Sequence, residues 1–337
     1  MMTRSVALLL FFGALLPAAP ALAQRPPSLP PTVTVAPQLA QMQAVLVRRH
    51  QERTRLYREA LEELKKNPRA ADYGQCAPGQ PREACVPSVQ ATQPPADAKL
   101  ETRRKLAVLI GNTGYTAPIP ELETPVHDVE RVAQILRTRF GYETQVVRNA
   151  TKAEVARALN RVAAEAGAED SVLIFYAGHG YLDDDTNMGY WLPVDASVKT
   201  AANWISNADI AKFLTAVPAR QVMLVSDSCF SGTLTRELRV TLAGQVNPGE
   251  VLRKRSVLVL TSGGEEPVSD EGREGHSIFA WHLIRVLDST QALAPGARVY
   301  TSVRDALTRE FPQTPQYGAA VSAGHVAGGE YLFQPAR

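Results

Sequence analysis

Residues 171–180 read Ser-Val-Leu-Ile-Phe-Tyr-Ala-Gly-His-Gly, and residues 221–232 read Gln-Val-Met-Leu-Val-Ser-Asp-Ser-Cys-Phe-Ser-Gly. Each is a short apolar run that ends in small residues bracketing one reactive side chain, His179 in the first and Cys229 in the second. Runs that stay apolar at successive positions predict strands buried on both faces. Working outward, similar runs at 106–111, 144–148, 256–261 and 330–333 predict four more strands. Helices are predicted between them near 125–140, 151–166, 206–217, 276–288 and 301–311. Thr124-Pro125 reads as an N-cap followed by proline at the first helical position, and Gly141 and Gly167 read as the stops of the first two helices. Apolar strands alternating with helices imply an α/β domain, a mostly parallel six-stranded sheet covered by helices on both faces. Ligands of such sheets bind beyond the carboxyl ends of the strands. His179 and Cys229 both fall just past such ends.

The chemistry of the pair agrees with that placement. A thiol becomes a nucleophile by losing its proton, and a neighbouring imidazole can take that proton and later return it. Gly178 and Gly180 leave room for a substrate backbone. Two plainer readings stand beside this one: Cys229 as a buried inert thiol, and His179 as a turn histidine satisfied by backbone. None of the other histidines (50, 127, 276, 282 and 325) is bracketed by glycines at a strand end, and none forms a His-x3-His metal spacing. The Gly-x-Ser-x-Gly elbow of serine hydrolases is missing from the chain.

The chain has 337 residues, 45% of them hydrophobic, enough for one sizeable core or two small ones. A net charge of +2 points to neither nucleic acid nor an anionic membrane surface as partner. Arg4, the apolar stretch Val6 to Leu16, and Ala21-Leu22-Ala23 before Gln24 read as a secretory signal peptide over 1–23. An uncleaved anchor is the alternative. An exported protein, periplasmic or secreted, follows, with no stable membrane association once the signal is removed. In an oxidising compartment Cys76 and Cys85, nine residues apart in a Pro/Gly-rich loop, are the natural disulfide, which leaves Cys229 as the odd thiol. Residues 24–104 form a Pro-rich arm, eleven of the 24 prolines lying in 24–99, with a helix predicted over 38–66 from Leu39, Met42, Val45, Leu46, Leu56, Tyr57, Leu61 and Leu64. That helix reads equally as a solvated arm, a packing or partner-binding element, or a pro-segment. The main domain is expected over 105–337.

The Tyr176-Ala177-Gly178-His179-Gly180 and Asp227-Ser228-Cys229-Phe230-Ser231-Gly232 segments, their separation and the strand order resemble the caspase/metacaspase family of cysteine peptidases. The likeness covers roughly 104–334. Leu109-Ile110-Gly111-Asn112, Pro125-Val126-His127-Asp128-Val129, Thr261-Ser262-Gly263-Gly264-Glu265-Glu266 and Gln313-Thr314-Pro315-Gln316-Tyr317 add to it. The resemblance implies a caspase-like three-layer sandwich. It implies Cys229 as nucleophile, His179 as its proton-transfer partner, and the amides of Gly180 and Cys229 as the oxyanion hole. It also implies that Asp227 and Asp128 place carboxylates in the S1 pocket, which would select Arg or Lys. The ordinary alternatives are that Asp128 complements a helix N-terminus and that Asp227 bonds a nearby loop. Ala177 departs from the serine that metacaspases often carry there, and the Gln-Ala-Cys pattern of Asp-specific caspases does not occur.

Residues 233–255 carry Arg236, Arg239, Arg253, Lys254 and Arg255, and the family's habit makes this stretch a candidate for self-processing, with a solvated loop as the alternative. Asp183-Asp184-Asp185 and Asp195 offer oxygens to calcium, but Thr233-Leu234-Thr235-Arg236 brings no Asp after Cys229, so the run reads as a solvated acidic turn. No cofactor or metal is expected. The sequence therefore reads as a cysteine endopeptidase acting on protein or peptide substrates and cleaving after Arg or Lys. Two rivals are a caspase-fold signalling module without activity and a thiol hydrolase acting on non-peptide acyl groups.

Overall fold

The computed structural model describes residues 48, 55, 102–183, 186, 188–228, 247–263, 272–311 and 313–336. The signal segment, Cys76 and Cys85, Cys229 and most of the 38–66 helix lie outside these residues. Within that last range Arg48 and Arg55 are helical and exposed.

The sheet grows from the four runs that the sequence marks most clearly. Strands β1 (Lys105–Gly111), β2 (Glu143–Arg148), β3 (Ser171–Ala177), β7 (Gln221–Asp227) and β8 (Ser256–Thr261) all pair in parallel. Strand β10 (Gln316–Ala319) closes the edge antiparallel to β8, giving the order β10-β8-β7-β3-β1-β2. Alternate side chains feed two cores, as the two-residue period of a strand requires. Ala107, Leu109, Leu173, Phe175 and Val225 face helices α1 (Pro125–Phe140), α5 (Ile278–Ser289) and α6 (Gly296–Leu307). Leu106, Val108, Ile110, Val172, Ile174 and Leu224 face α2 (Lys152–Glu165) and α3 (Asn207–Ala216), and the four-residue α4 (Pro248–Val251) precedes β8. The three-layer α/β sandwich expected from the sequence is the fold. Among the described residues no helix is long and apolar enough to cross a membrane.

Two local expectations are corrected. The sixth strand is Gln316–Ala319, whereas Leu332–Phe333 (β11) pairs with Ala294–Pro295 (β9) in a separate two-stranded ribbon. Gln-Tyr-Gly-Ala carries little apolar signal because it is four residues long with one aromatic ring, although Tyr317, Gly318 and Ala319 are all buried. Helix α2 ends on an extended Ala166 rather than on Gly167, and the Gly167 amide donates to Asp170. Thr124 is the N-cap of α1 with Pro125 at the first position, as expected, although the Thr124 side chain makes no capping hydrogen bond. An element that the sequence reading missed is the small antiparallel sheet β4 (Gly180–Asp183), β5 (Met188–Trp191) and β6 (Ile205–Ser206), which begins one residue after His179.

Under the β10 edge lies a buried polar knot. Glu330, 3% exposed, accepts the Tyr317 hydroxyl at 2.6 Å and the Tyr331 amide at 2.7 Å. Burial pushes its carboxyl up to about 7 from the ordinary 4.5. Between these two values the native Glu330 holds a proton that the unfolded chain has released, so this group's contribution to stability falls as pH rises from about 4.5 to about 7 and is constant above. A shift of this size corresponds to about 3 kcal/mol. Unfolding midpoints measured from pH 4.5 to 8 should show this decline, and Glu330→Gln should remove most of the slope. Parallel curves for the two proteins would refute the assignment.

Candidate active site

The carboxyl ends of β3 and β7 lie side by side, with Ala177 registered against Asp227. The Gly178 amide donates to the Asp227 carbonyl at 3.2 Å, which continues the pairing one residue beyond the strands. His179 follows two residues after Ala177, and position 229 follows two residues after Asp227. Cys229 itself is outside the described residues. Its neighbour Ser228 is buried, with its hydroxyl 3.0 Å from that of Ser226, which in turn accepts the Trp191 indole N–H at 3.0 Å.

His179 is 6% exposed and held on several sides. Its Nε2 lies 2.8 Å from the Pro120 carbonyl. A carbonyl only accepts, so Nε2 carries the proton, and in the neutral ring Nδ1 is left with the lone pair. The backbone is fixed as firmly. Its amide donates to the Tyr115 hydroxyl at 2.9 Å, and its carbonyl accepts the Leu192 amide at 3.0 Å and the Tyr176 hydroxyl at 2.9 Å. The Tyr115 ring packs against the imidazole at 4.6 Å between centroids. Tyr115 and Pro120 come from the β1–α1 loop, whose start is tied to Asn149 Oδ1 by the Thr113 amide and hydroxyl and the Gly114 amide at 2.9–3.0 Å. Asn149 is one of two described non-glycine residues with positive φ (48°), a left-handed conformation that Asn tolerates. None of Pro120, Tyr115 or Asn149 stood out in the sequence; the Gly-Asn-Thr-Gly-Tyr turn after β1 was the only signal.

The bond between the Leu192 amide and the His179 carbonyl sets the phase of the β4–β5 ladder. Because an antiparallel pair bonds at alternate residues, the Gly180 amide is directed away from β5. Both candidate S1 carboxylates lie on the same side of the sheet and meet at one residue. The Ser277 hydroxyl donates to Asp227 Oδ2 at 2.6 Å, and the Ser277 amide lies 3.3 and 3.4 Å from the two Asp128 oxygens. Asp128 Oδ1 is also 2.7 Å from His276 Nδ1. Asp128 is fully buried and Asp227 is 6% exposed. Burial raises the Asp128 carboxyl, opposed by its bond and attraction to His276 and by the Ser277 amide. His276 and Ser277 were not singled out from sequence.

Of the acidic residues considered for calcium, Asp183 accepts the Thr186 hydroxyl at 2.8 Å and Asp195 accepts the Lys152 amide at 2.9 Å; Asp184 and Asp185 are outside the described residues. Among the described residues no group of three or more His, Cys, Asp or Glu is arranged to hold a metal. In the basic stretch, Arg253 and Lys254 are exposed. Arg255 differs: its guanidinium donates to the carbonyls of Leu214, Val217, Ala219 and Ala323.

The model of the caspase domain matches residues 104–322, nearly the whole described α/β unit. This chain belongs to the caspase-domain peptidase family. Similar curated proteins are metacaspases. Metacaspase-1 of Meyerozyma guilliermondii is 31% identical over 150 residues, covering 39% of this chain and 36% of that protein. Metacaspase-7 of Arabidopsis thaliana is 29% identical over 153 residues, covering 40% and 36%. The caspase-domain chain thus spans 36% of the length of these relatives. Among solved structures, caspase-1 from Spodoptera frugiperda aligns at TM-score 0.48 and 14% identity, over 64% of this chain and 86% of that one. A protein from Geobacter sulfurreducens aligns at TM-score 0.47 and 20% identity, over 64% and 93%.

Proposed function

We propose that this protein is a cysteine endopeptidase that uses Cys229 and His179 and cleaves after Arg or Lys. The observation that carries the proposal is the fixed tautomer of His179: with Nε2–H committed to Pro120, its basic nitrogen is Nδ1. Cys229 follows in sequence on Ser228, just past the strand that pairs with the one leading to His179. In this reading Nδ1 takes the thiol proton as sulfur attacks the scissile carbonyl carbon. The amides of Gly180 and Cys229 receive the charge that develops on oxygen. The protonated imidazole then gives its proton to the leaving amine, and water, deprotonated by the same nitrogen, releases the acyl group from sulfur.

Asp227, with Asp128 behind it, supplies negative charge for a basic P1 side chain, and Arg can pair with a carboxylate bidentately. Substrates are proteins or peptides. Self-processing within 233–255 fits the same preference. Arg255 gives four hydrogen bonds to carbonyls and is not available as P1 without unfolding its surroundings, which leaves Arg236, Arg239, Arg253 and Lys254. Export through the 1–23 segment, a Cys76–Cys85 bridge and independence of metal and cofactor complete the proposal.

The test is a peptide library varied at P1, incubated with the purified protein and with Cys229→Ala. Cleavage after Arg and Lys that is abolished in the variant is the expected result. Equal cleavage by both proteins, or a preference for P1 Asp, would refute it. Thioester or ester turnover without peptide cleavage would favour the acyl-hydrolase reading.

A further inference from the structure

The loop Gly272–Ser277 delivers a serine to the point where three elements of the site converge. Its path is tight: a Cβ on Gly272 would run into the His276 carbonyl, and Glu274 (φ 57°) and Gly275 (φ 79°) both take left-handed conformations. The turn sets Ser277 as the N-cap of α5, where its Oγ accepts the Ala280 amide at 2.9 Å. That bond uses a lone pair, so the hydroxyl proton remains to be given, and it goes to Asp227 Oδ2 at 2.6 Å. The Ser277 amide meanwhile donates to Asp128, which also holds His276. One residue therefore ties the end of β7, the first turn of α1 and the start of α5.

From this arrangement we infer that Ser277 is the positioning residue for P1 recognition: its hydroxyl fixes the orientation of the Asp227 carboxylate, and buried Asp128 anchors the loop through the Ser277 amide rather than touching substrate. The inference rests on the S1 reading above. Charge-assisted bonds of this length are among the stronger hydrogen bonds in proteins. Orientation matters more to one substrate than to the other. A guanidinium pairs with a carboxylate through two parallel N–H bonds and needs its plane aligned, whereas an ammonium is a point charge that tolerates rotation. Removing this hydrogen bond from the Asp227 carboxylate should thus weaken P1 Arg more than P1 Lys.

Three variants separate this role from simple helix capping. Ser277→Thr keeps both cap and hydroxyl, Ser277→Gly keeps a serviceable cap without the hydroxyl, and Ser277→Ala loses both. With folding checked by thermal melts, Ser277→Gly and Ser277→Ala should lower kcat/KM on P1-Arg peptides about tenfold, mainly through KM, as expected for a lost charge-assisted bond. Their Arg-to-Lys ratio should move toward one, and Ser277→Thr should restore the native ratio. A capping role alone would leave folded Ser277→Gly with wild-type KM and ratio, and that result overturns the inference while leaving the S1 reading intact. Wild-type protein that cleaves peptides but not after Arg or Lys would overturn the S1 reading first, and this inference with it, before any variant is compared.

Discussion

His179→Ala is expected to lower kcat/KM about 10³-fold, the middle of the range for removing a positioned general acid–base. The loss has two parts, and pH separates them. In the proposed mechanism the imidazole takes the thiol proton, so alkylation of Cys229 by iodoacetamide should be rapid well below the pH at which an isolated thiol ionises, about 8.5. In the variant the rate should track that ordinary ionisation. The second part is the leaving-group proton, which alkylation does not need, so peptide cleavage should suffer more than alkylation does. The Nε2 bond to Pro120 sharpens the expectation. His179→Gln offers no titratable nitrogen at either ring position and should fall with the alanine variant rather than between it and wild type. Unchanged alkylation profiles across pH 5–9 in wild type and His179→Ala would remove His179 from the proton-transfer role.

Much of the frame behind this expectation could be read from the sequence, for a physical reason. Central parallel strands are buried on both sides, so the runs at 106–111, 171–176, 221–226 and 256–261 have no polar alternation to obscure them. Strand ends flanked by glycine and serine then locate the rim where a ligand would sit. Legibility drops wherever an element gets its stability from neighbours distant in sequence. Gln316–Ala319 takes its strand form on the edge of β8, and Leu332–Phe333 lies outside the main sheet, paired with Ala294–Pro295. The hairpin β4–β5 is short and half exposed, and it carries an acidic tip that reads as loop.

The same division runs through the candidate site. His179 was recognisable because its own neighbours are unusual, a glycine on each side at a strand end. What holds it was not, because Pro120 and Tyr115 act through a backbone carbonyl and a hydroxyl that many residue types or positions could have supplied. Asp128 and Asp227 were legible as residues but not as a connected pair. Their link is Ser277, 149 and 50 positions away, and its hydroxyl reaches Asp227 only after α5 has packed on the sheet. His276 illustrates the limit of motif reading: it lacks bracketing glycines and a metal spacing, yet it bonds the most deeply buried carboxylate of the site.

Gly178→Ala is the other substitution with a large expected effect, and it acts without touching a reacting atom. A Cβ at this position would lie 2.7 Å from the Tyr115 Oη and 2.9 Å from the Tyr176 Oη. Neither oxygen can retreat cheaply. Tyr115 accepts the His179 amide and donates to the Leu192 carbonyl at 2.9 Å, while Tyr176 is fully buried, stacked on Trp191 at 4.2 Å, with its hydroxyl 2.9 Å from the His179 carbonyl. Both contacts that must give are therefore contacts to the backbone of His179. Overpacking of this kind costs about 1–3 kcal/mol of stability. The functional cost is larger, since a displacement of about 1 Å in a catalytic group lowers rate about 10²-fold. The expected result is a modest drop in the denaturation midpoint together with a kcat/KM about 100-fold below wild type. Tyr115→Phe removes the nearer oxygen, at the expense of leaving the His179 amide without its acceptor. If the clash is the cause, the double variant Gly178→Ala/Tyr115→Phe should be more active than the product of the two single losses predicts. Strict additivity, or wild-type activity in Gly178→Ala alone, would mean that the two hydroxyls do not hold the histidine where the reaction needs it.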